Sequence, residues 1–129
     1  MTTLASILLV DPDVATRSIM AGELRGFGHD VRESGDANSA WNNALRVRPD
    51  LMVCDYSLPD LTGIDLLTDV RLNDDLKNMR VLMMSDRNDS TDLVIALRKG
   101  ADDFVAKPVR LPELIARVDA CLRRPANVE

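Results

Sequence analysis

Residues 50–63 read Asp-Leu-Met-Val-Cys-Asp-Tyr-Ser-Leu-Pro-Asp-Leu-Thr-Gly, an apolar run that leads straight into one carboxylate, Asp55. A short apolar run closed by turn residues reads as a strand buried on both faces. Asp55 then stands where that strand leaves the sheet, and in open parallel sheets ligands gather in the crevice at the carboxyl ends of the strands. Pro59 and Gly63 suit the loop that follows.

Working outward, Ser6 to Val10 is a second apolar run, closed by Asp11-Pro12-Asp13. After it Val14, Ile19, Met20, Leu24 and Phe27 recur near helical spacing until Gly28. His29 to Ser34 reads as an edge strand, with His29 expected on the loop surface. Asp36 is placed to cap a helix whose face holds Ala37, Ala40, Trp41, Ala44 and Leu45, ending near Pro49. Gly63 to Leu72 is again helical, with Ile64, Leu67 and Val70 on one side. Arg80 to Ser85 supplies a strand that delivers Ser85 to the same edge as Asp55 if the strands are parallel. Thr91 to Lys99 is a helix closed by Gly100, Asp103 to Ala106 a short last strand, and Lys107-Pro108 a turn. Pro112 at a helix's first position opens Glu113 to Arg124, striped by Leu114, Ile115, Val118 and Leu122. Five strands alternating with five helices define an α/β class, a doubly wound parallel sheet, because parallel neighbours need crossover helices of right-handed sense.

The 129 residues suit one domain, 1–124, with 125–129 as a tail or linker stub. No apolar run approaches a membrane span or a signal-peptide core, so a cytoplasmic location away from membranes is expected. Cys54 and Cys121 give neither a disulfide framework nor metal-ligand spacing and read as core thiols. Trp41 and Met83-Met84 likewise read as core. A net charge of −5 and the lack of clustered Lys and Arg argue against direct nucleic-acid binding by this chain.

A carboxylate becomes a phosphoryl acceptor only where the incoming negative charge is neutralised, which takes a cation, a fixed ammonium and hydrogen-bond donors. Ser85 offers a hydroxyl 30 residues after Asp55, and Lys107 an ammonium 22 residues further on. With Pro59 and Gly63, this spacing resembles the receiver domain of bacterial two-component response regulators over nearly the whole chain. The resemblance implies a flavodoxin-like, chemotaxis-regulator-like fold with strand order 2-1-3-4-5, and Asp11, Asp55, Ser85 and Lys107 at the strand ends. It implies Asp55 as phosphoacceptor, supplied by a histidine kinase or phosphotransfer protein, with a cis peptide before Pro108. Phe104 would be the aromatic switch relaying the change to the surface of helix 4, strand 5 and helix 5, where a homodimer could form. It describes a signalling switch with at most autophosphatase activity. The last helix, running into Arg123-Arg124-Pro125, is similar to that of receivers joined to a winged-helix DNA-binding domain.

The chain departs from the family pattern twice. Where the first strand usually ends in two adjacent acids for Mg²⁺, Asp11 is followed by Pro12, and the small residue usual after Ser85 is Asp86. The implied Mg²⁺ set is then Asp11, Asp55 and the backbone carbonyl of Ser57, with Asp13 or Asp86 as candidates for the missing acid. Asp13 also suits a helix cap, and Arg87 is placed to hold Asp86 outward. Weak Mg²⁺ binding is expected. Asp102 and Asp103 read as solvated or paired with Arg117 or Arg124. Two further readings compete: a pseudo-receiver interaction module with weak or no phosphorylation, and a haloacid-dehalogenase-type phosphatase whose Asp-x-Asp nucleophile would be Asp11.

Overall fold

The computed structural model describes residues 4–87 and 90–124. Ten elements alternate: β1 (Ser6–Val10), α1 (Val14–Gly26), β2 (Asp30–Ser34), α2 (Ala37–Val47), β3 (Leu51–Asp55), α3 (Gly63–Leu72), β4 (Arg80–Ser85), α4 (Ser90–Arg98), β5 (Asp103–Ala106) and α5 (Leu111–Arg123). The strands form one parallel sheet in the order β2-β1-β3-β4-β5. This is the order that the family resemblance implied.

Strand residues alternate between two apolar layers, as the two-residue repeat of a strand requires. Leu8, Val10, Met52, Cys54, Val81 and Met83 pack with Ala37, Ala40 and Ala44 of α2, Leu66, Leu67 and Val70 of α3, and Ala96 of α4. Ile7, Leu9, Leu51, Val53, Leu82 and Met84 face Met20, Ala21 and Leu24 of α1 and Leu114, Val118, Cys121 and Leu122 of α5. Helices on both faces leave β3 buried throughout, which is why its sequence is a continuous apolar run. The small alanines of α2 let that helix approach the sheet, and Trp41 packs at the edge of the layer. Both cysteines are free and buried, and burial pushes the Cys121 thiol up to about 11.

Several local expectations need correction. The buried face of α1 is Met20, Ala21 and Leu24, whereas Val14, Ile19 and Phe27 are exposed. Positions 20 and 24 are one turn apart and define the stripe, and Ile19 lies off it. In α2, Leu45 is exposed, one position beyond the Ala40–Ala44 stripe. The last two helices begin slightly earlier than expected, so Pro112 is the second residue of α5. His29 is not a surface residue: it is only 4% exposed and its Nδ1 accepts the Ala5 N–H at 3.1 Å. Gly28, with φ of 96°, turns the chain back after α1 and sets His29 against the start of β1. Residues 125–129, the expected tail, lie outside the described residues.

The second long-range tie is Arg71 of α3. Its guanidinium donates to the carbonyls of Gly100, Lys77 and Met79 and pairs with Asp102 at 3.2 Å. Asp102 therefore has Arg71 as its carboxylate partner, and Asp103 has Arg117 at 3.0 Å. Arg124 donates to the backbone carbonyl of Asp102, not to its carboxylate.

Candidate functional site

Four strand ends converge at the carboxyl edge of the sheet. Asp11 directly follows β1, Asp55 closes β3, Ser85 closes β4, and Lys107 directly follows β5. The in-register pairing of β3 with β4 and of β4 with β5 sets Asp55 opposite Met84 and Ser85 opposite Ala106. The expected four residues are thus brought to one edge.

Lys107 is the centre of the arrangement. Its Nζ donates to Oδ2 of Asp11 and to Oδ2 of Asp55, each at 2.9 Å. Burial by itself would lower the lysine's pKa, but the hydrogen bonds and negative charge of Asp11 and Asp55 outweigh it and hold the ammonium above its ordinary value. Asp55, 6% exposed, uses its other oxygen to accept the Ser57 N–H at 3.1 Å. The Lys107-Pro108 peptide is cis.

Asp11 is fully buried and both of its carboxylate oxygens are engaged. Oδ1 accepts the Asp13 N–H at 2.8 Å, and Oδ2 holds Lys107. Arg17, which sequence reading passed over, fixes the same turn by donating to the Asp11 carbonyl at 2.8 Å while pairing with Glu33. Asp11 is sealed from solvent while Asp55 keeps a small opening to it, so the phosphatase reading is not favoured. Asp13 turns to the helix: its side chain accepts the N–H groups of Ala15 and Thr16, which holds its carboxyl below the ordinary carboxylate range.

The loop after Asp55 is held tightly. Tyr56 donates its N–H to Met84 O and accepts that of Gly63, both at 2.7 Å, and Thr62 caps α3 through Asp65 N. Gly63 is required by proximity: a Cβ there would stand 2.4 Å from the Asp55 carbonyl oxygen. Asp60 reaches across to the start of α2, accepting from Ala37 N at 2.8 Å and Asn38 N at 2.9 Å, which keeps its carboxyl low. Nothing in a single sequence identifies Asp60 as a cap for a helix more than twenty residues earlier.

Around Ser85, the Oγ accepts the Arg87 N–H at 3.0 Å. Arg87 does not hold Asp86: its Nε is 3.0 Å from Asp92 of α4, and its guanidinium lies 5.2 Å from the centre of the Tyr56 ring. Asp86 is exposed at the rim. Phe104 is half-buried and packs against the layer formed with α2, α3 and α4.

Oxygen donors alone suit a hard cation such as Mg²⁺, which is commonly held through one or two carboxylates and keeps several waters. Asp11 and Asp55 supply two such carboxylates at this edge, bridged by Lys107. Among the described residues no three His, Cys, Asp or Glu side chains converge as a metal-holding group, consistent with the engagement of Asp13 in the α1 cap.

The comparisons with known proteins agree with this geometry. The family described as "Response regulator receiver domain" matches residues 7–119. The DNA-binding response regulator MtrA of Mycolicibacterium smegmatis is 38% identical over 118 residues, which are 92% of this chain and 50% of that protein. The transcriptional regulatory protein AfsQ1 of Streptomyces coelicolor is 36% identical over 92% of this chain and 52% of its own length. The chain therefore spans about half the length of these curated relatives. Among solved structures, the receiver domain of NtrX from Brucella abortus superposes with a TM-score of 0.86 at 32% identity, covering 92% of this chain and 99% of that one. Chemotaxis response regulator CheY4 of Vibrio cholerae shares the fold, with a TM-score of 0.87 at 24% identity over 93% of this chain and 100% of that one. No helix among the described residues is long and apolar enough to cross a membrane. Receiver domains are phosphoaccepting signalling switches rather than classical enzymes, interact with histidine kinases or phosphotransfer proteins, and generally bind Mg²⁺. With its family match, its five-stranded 2-1-3-4-5 sheet and its acid and lysine ends at one edge, this chain belongs to the response regulator receiver domain family.

Proposed function

We propose that Asp55 is the residue that accepts the phosphoryl group, from a histidine kinase or a phosphotransfer protein. The observation that carries the reading is the single Lys107 ammonium 2.9 Å from both Asp55 and Asp11, which fixes a positive charge beside the one strand-end carboxylate with a route to solvent. An oxygen of Asp55 attacks phosphorus, the bond from phosphorus to the donor's imidazole nitrogen breaks, and that nitrogen keeps the electron pair and takes up a proton from solvent. Lys107 and the Ser85 hydroxyl bind the equatorial oxygens of the transferred group, where negative charge is spread in the transition state. Mg²⁺, when held by Asp11, Asp55 and the Ser57 carbonyl, supplies further charge neutralisation, and its affinity is low because Pro12 replaces an acid. Asp86, exposed at the rim, adds a carboxylate only if its loop folds inward. Water reverses the modification, giving slow autophosphatase activity.

Phe104 and Ser85 couple the modified site to α4, β5 and α5. Leu93, Val94, Ile95 and Leu97 leave α4 with an exposed apolar surface, which supports homodimerisation through that face. The receiver unit is 1–124 with 125–129 as linker, a cytoplasmic module that the half-length coverage of its relatives suits to joining a DNA-binding output domain. The test is incubation with acetyl phosphate and Mg²⁺ followed by mass spectrometry of the modified residue. A phosphoryl mass on Asp55, lost in Asp55→Asn, is expected. Label on Asp11, or undiminished labelling of Asp55→Asn, overturns the assignment, and no label at all favours the pseudo-receiver reading.

A further inference from the structure

Outside the acid and lysine cluster lies a second charged group that the chemistry above does not use: Tyr56, Arg87 and Asp92. Its members come from three places that must communicate. Tyr56 follows Asp55, Arg87 lies two residues after Ser85, and Asp92 sits in the first turn of α4. Asp92 is a buried carboxylate, 5% exposed, on a helix whose buried face otherwise consists of Ala96. With Leu93, Val94, Ile95 and Leu97 outward, α4 has little apolar burial to hold it. The 3.0 Å contact of Asp92 Oδ2 with Arg87 Nε, beside the hydrogen bond of Tyr56 with the same carboxylate, is one of the ties that hold its first turn.

That contact is close but breakable. The pair is an ion pair without a hydrogen bond to Asp92 Oδ2 among the described residues, and Arg87 is half-exposed at 52%. Arg87 is also stacked on the Tyr56 ring. Its amide is anchored 3.0 Å from Ser85 Oγ, so its side chain pivots beside the hydroxyl assigned to the phosphoryl oxygens. A phosphoryl group brings nearly two negative charges, while Lys107 is already shared between two carboxylates. A doubly charged group attracts a guanidinium more strongly than one carboxylate at similar range, and offers it a bidentate partner.

We infer that Arg87 is a latch shared between Asp92 and the phosphorylated site: at rest it ties α4 to the end of β3, and phosphorylation draws it away and frees the first turn of α4. The inference rests on Asp55 as phosphoacceptor. It makes Arg87 a positioning residue whose release is part of the switch.

Hydrogen–deuterium exchange of α4 (Ser90–Arg98), with intact mass measured on the same samples, tests it on the unmodified chain, Arg87→Ala and Asp92→Asn, each with and without acetyl phosphate and Mg²⁺. In the unmodified chain α4 exchange rises about fivefold on phosphorylation, the scale expected from losing one such pair. Both variants exchange fast at rest and gain little more when labelled. Arg87→Ala exchanging like the unmodified chain at rest overturns the latch, as does an α4 that stays slow while the mass shows Asp55 modified. If the mass never shifts, the phosphoacceptor reading has failed, and a fast resting α4 in the variants then marks a structural tie without switching.

Discussion

Two glycine-to-alanine substitutions, identical in chemistry, are expected to move stability in opposite directions. At Gly63 a new Cβ stands 2.4 Å from the Asp55 carbonyl oxygen and 2.7 Å from the Met83 Cε. The Met83 methyl can yield in part, but it belongs to a fully buried side chain in a close-packed layer, and the carbonyl oxygen moves only if the end of β3 bends. Overpacking of this kind costs about 1–3 kcal/mol, and a backbone partner places Gly63→Ala toward the upper end. The helix-propensity gain that opposes it, about 1 kcal/mol in a helix interior, is smaller at the first residue of α3. The net loss is about 2 kcal/mol. Gly22 lies inside α1, and a Cβ added there would meet nothing within 4 Å, so Gly22→Ala gains up to about 1 kcal/mol. Urea unfolding with a shared slope separates the two by about 3 kcal/mol. Gly63→Ala unfolding at or above the midpoint of the unmodified chain would refute the claim that α3 begins in contact with the end of β3.

Three further expectations are accessible by calorimetry and denaturation. The raised pKa of Lys107 means that its stabilising contribution is fully present below the ordinary lysine value of 10.5 and is lost as pH rises through the folded value; unfolding against pH should show this alkaline loss in the unmodified chain and not in Lys107→Met, which is less stable at neutral pH. Arg71→Met leaves three backbone carbonyls and Asp102 without their cation and should cost about 3 kcal/mol in urea unfolding, with Arg71→Lys failing to restore it because one ammonium cannot span the fork. Pro12→Asp should raise Mg²⁺ affinity about tenfold in calorimetric titration, and tight binding in the unmodified chain indifferent to that change would refute the missing-acid argument.

The centre of the sheet was legible because β1, β3 and β4 are buried on both faces. Leu51 to Cys54 cannot be read with a helical period, and the same holds for Val81 to Met84. The placement of Asp55, Ser85 and Lys107 at one edge was legible because each closes or directly follows a strand. Strand order was not, since periodicity carries no information about which run neighbours which, and only the family likeness supplied it. The misread partners lay outside the immediate sequence neighbourhood. His29 looked like a loop residue because its partner, Ala5, lies 24 positions away, and Arg87 was set against the adjacent Asp86 when its acid is Asp92, in the first turn of α4. Asp60 and Arg71 were missed because most of their partners are backbone groups, which no side-chain pattern announces.

Pro12 shows how local backbone chemistry reaches the charge of the site. A proline has no N–H, so the turn after β1 closes through the next donor, Asp13 N, onto Asp11 Oδ1. That bond sets Asp13 at the start of α1, where its carboxylate serves the N–H groups of Ala15 and Thr16 and faces the helix. The acid nearest in sequence is thereby committed to capping, and the crevice keeps two carboxylates against one ammonium. One negative charge is left uncompensated there, where an acid at position 12 would leave two. A divalent cation is drawn less strongly to the smaller deficit, while an incoming phosphoryl anion is repelled less by it. Low Mg²⁺ affinity and the proposed phosphoacceptor role of Asp55 are therefore compatible in this chain, and the half-exposed Arg87, two residues after Ser85, is a further cation on the same edge.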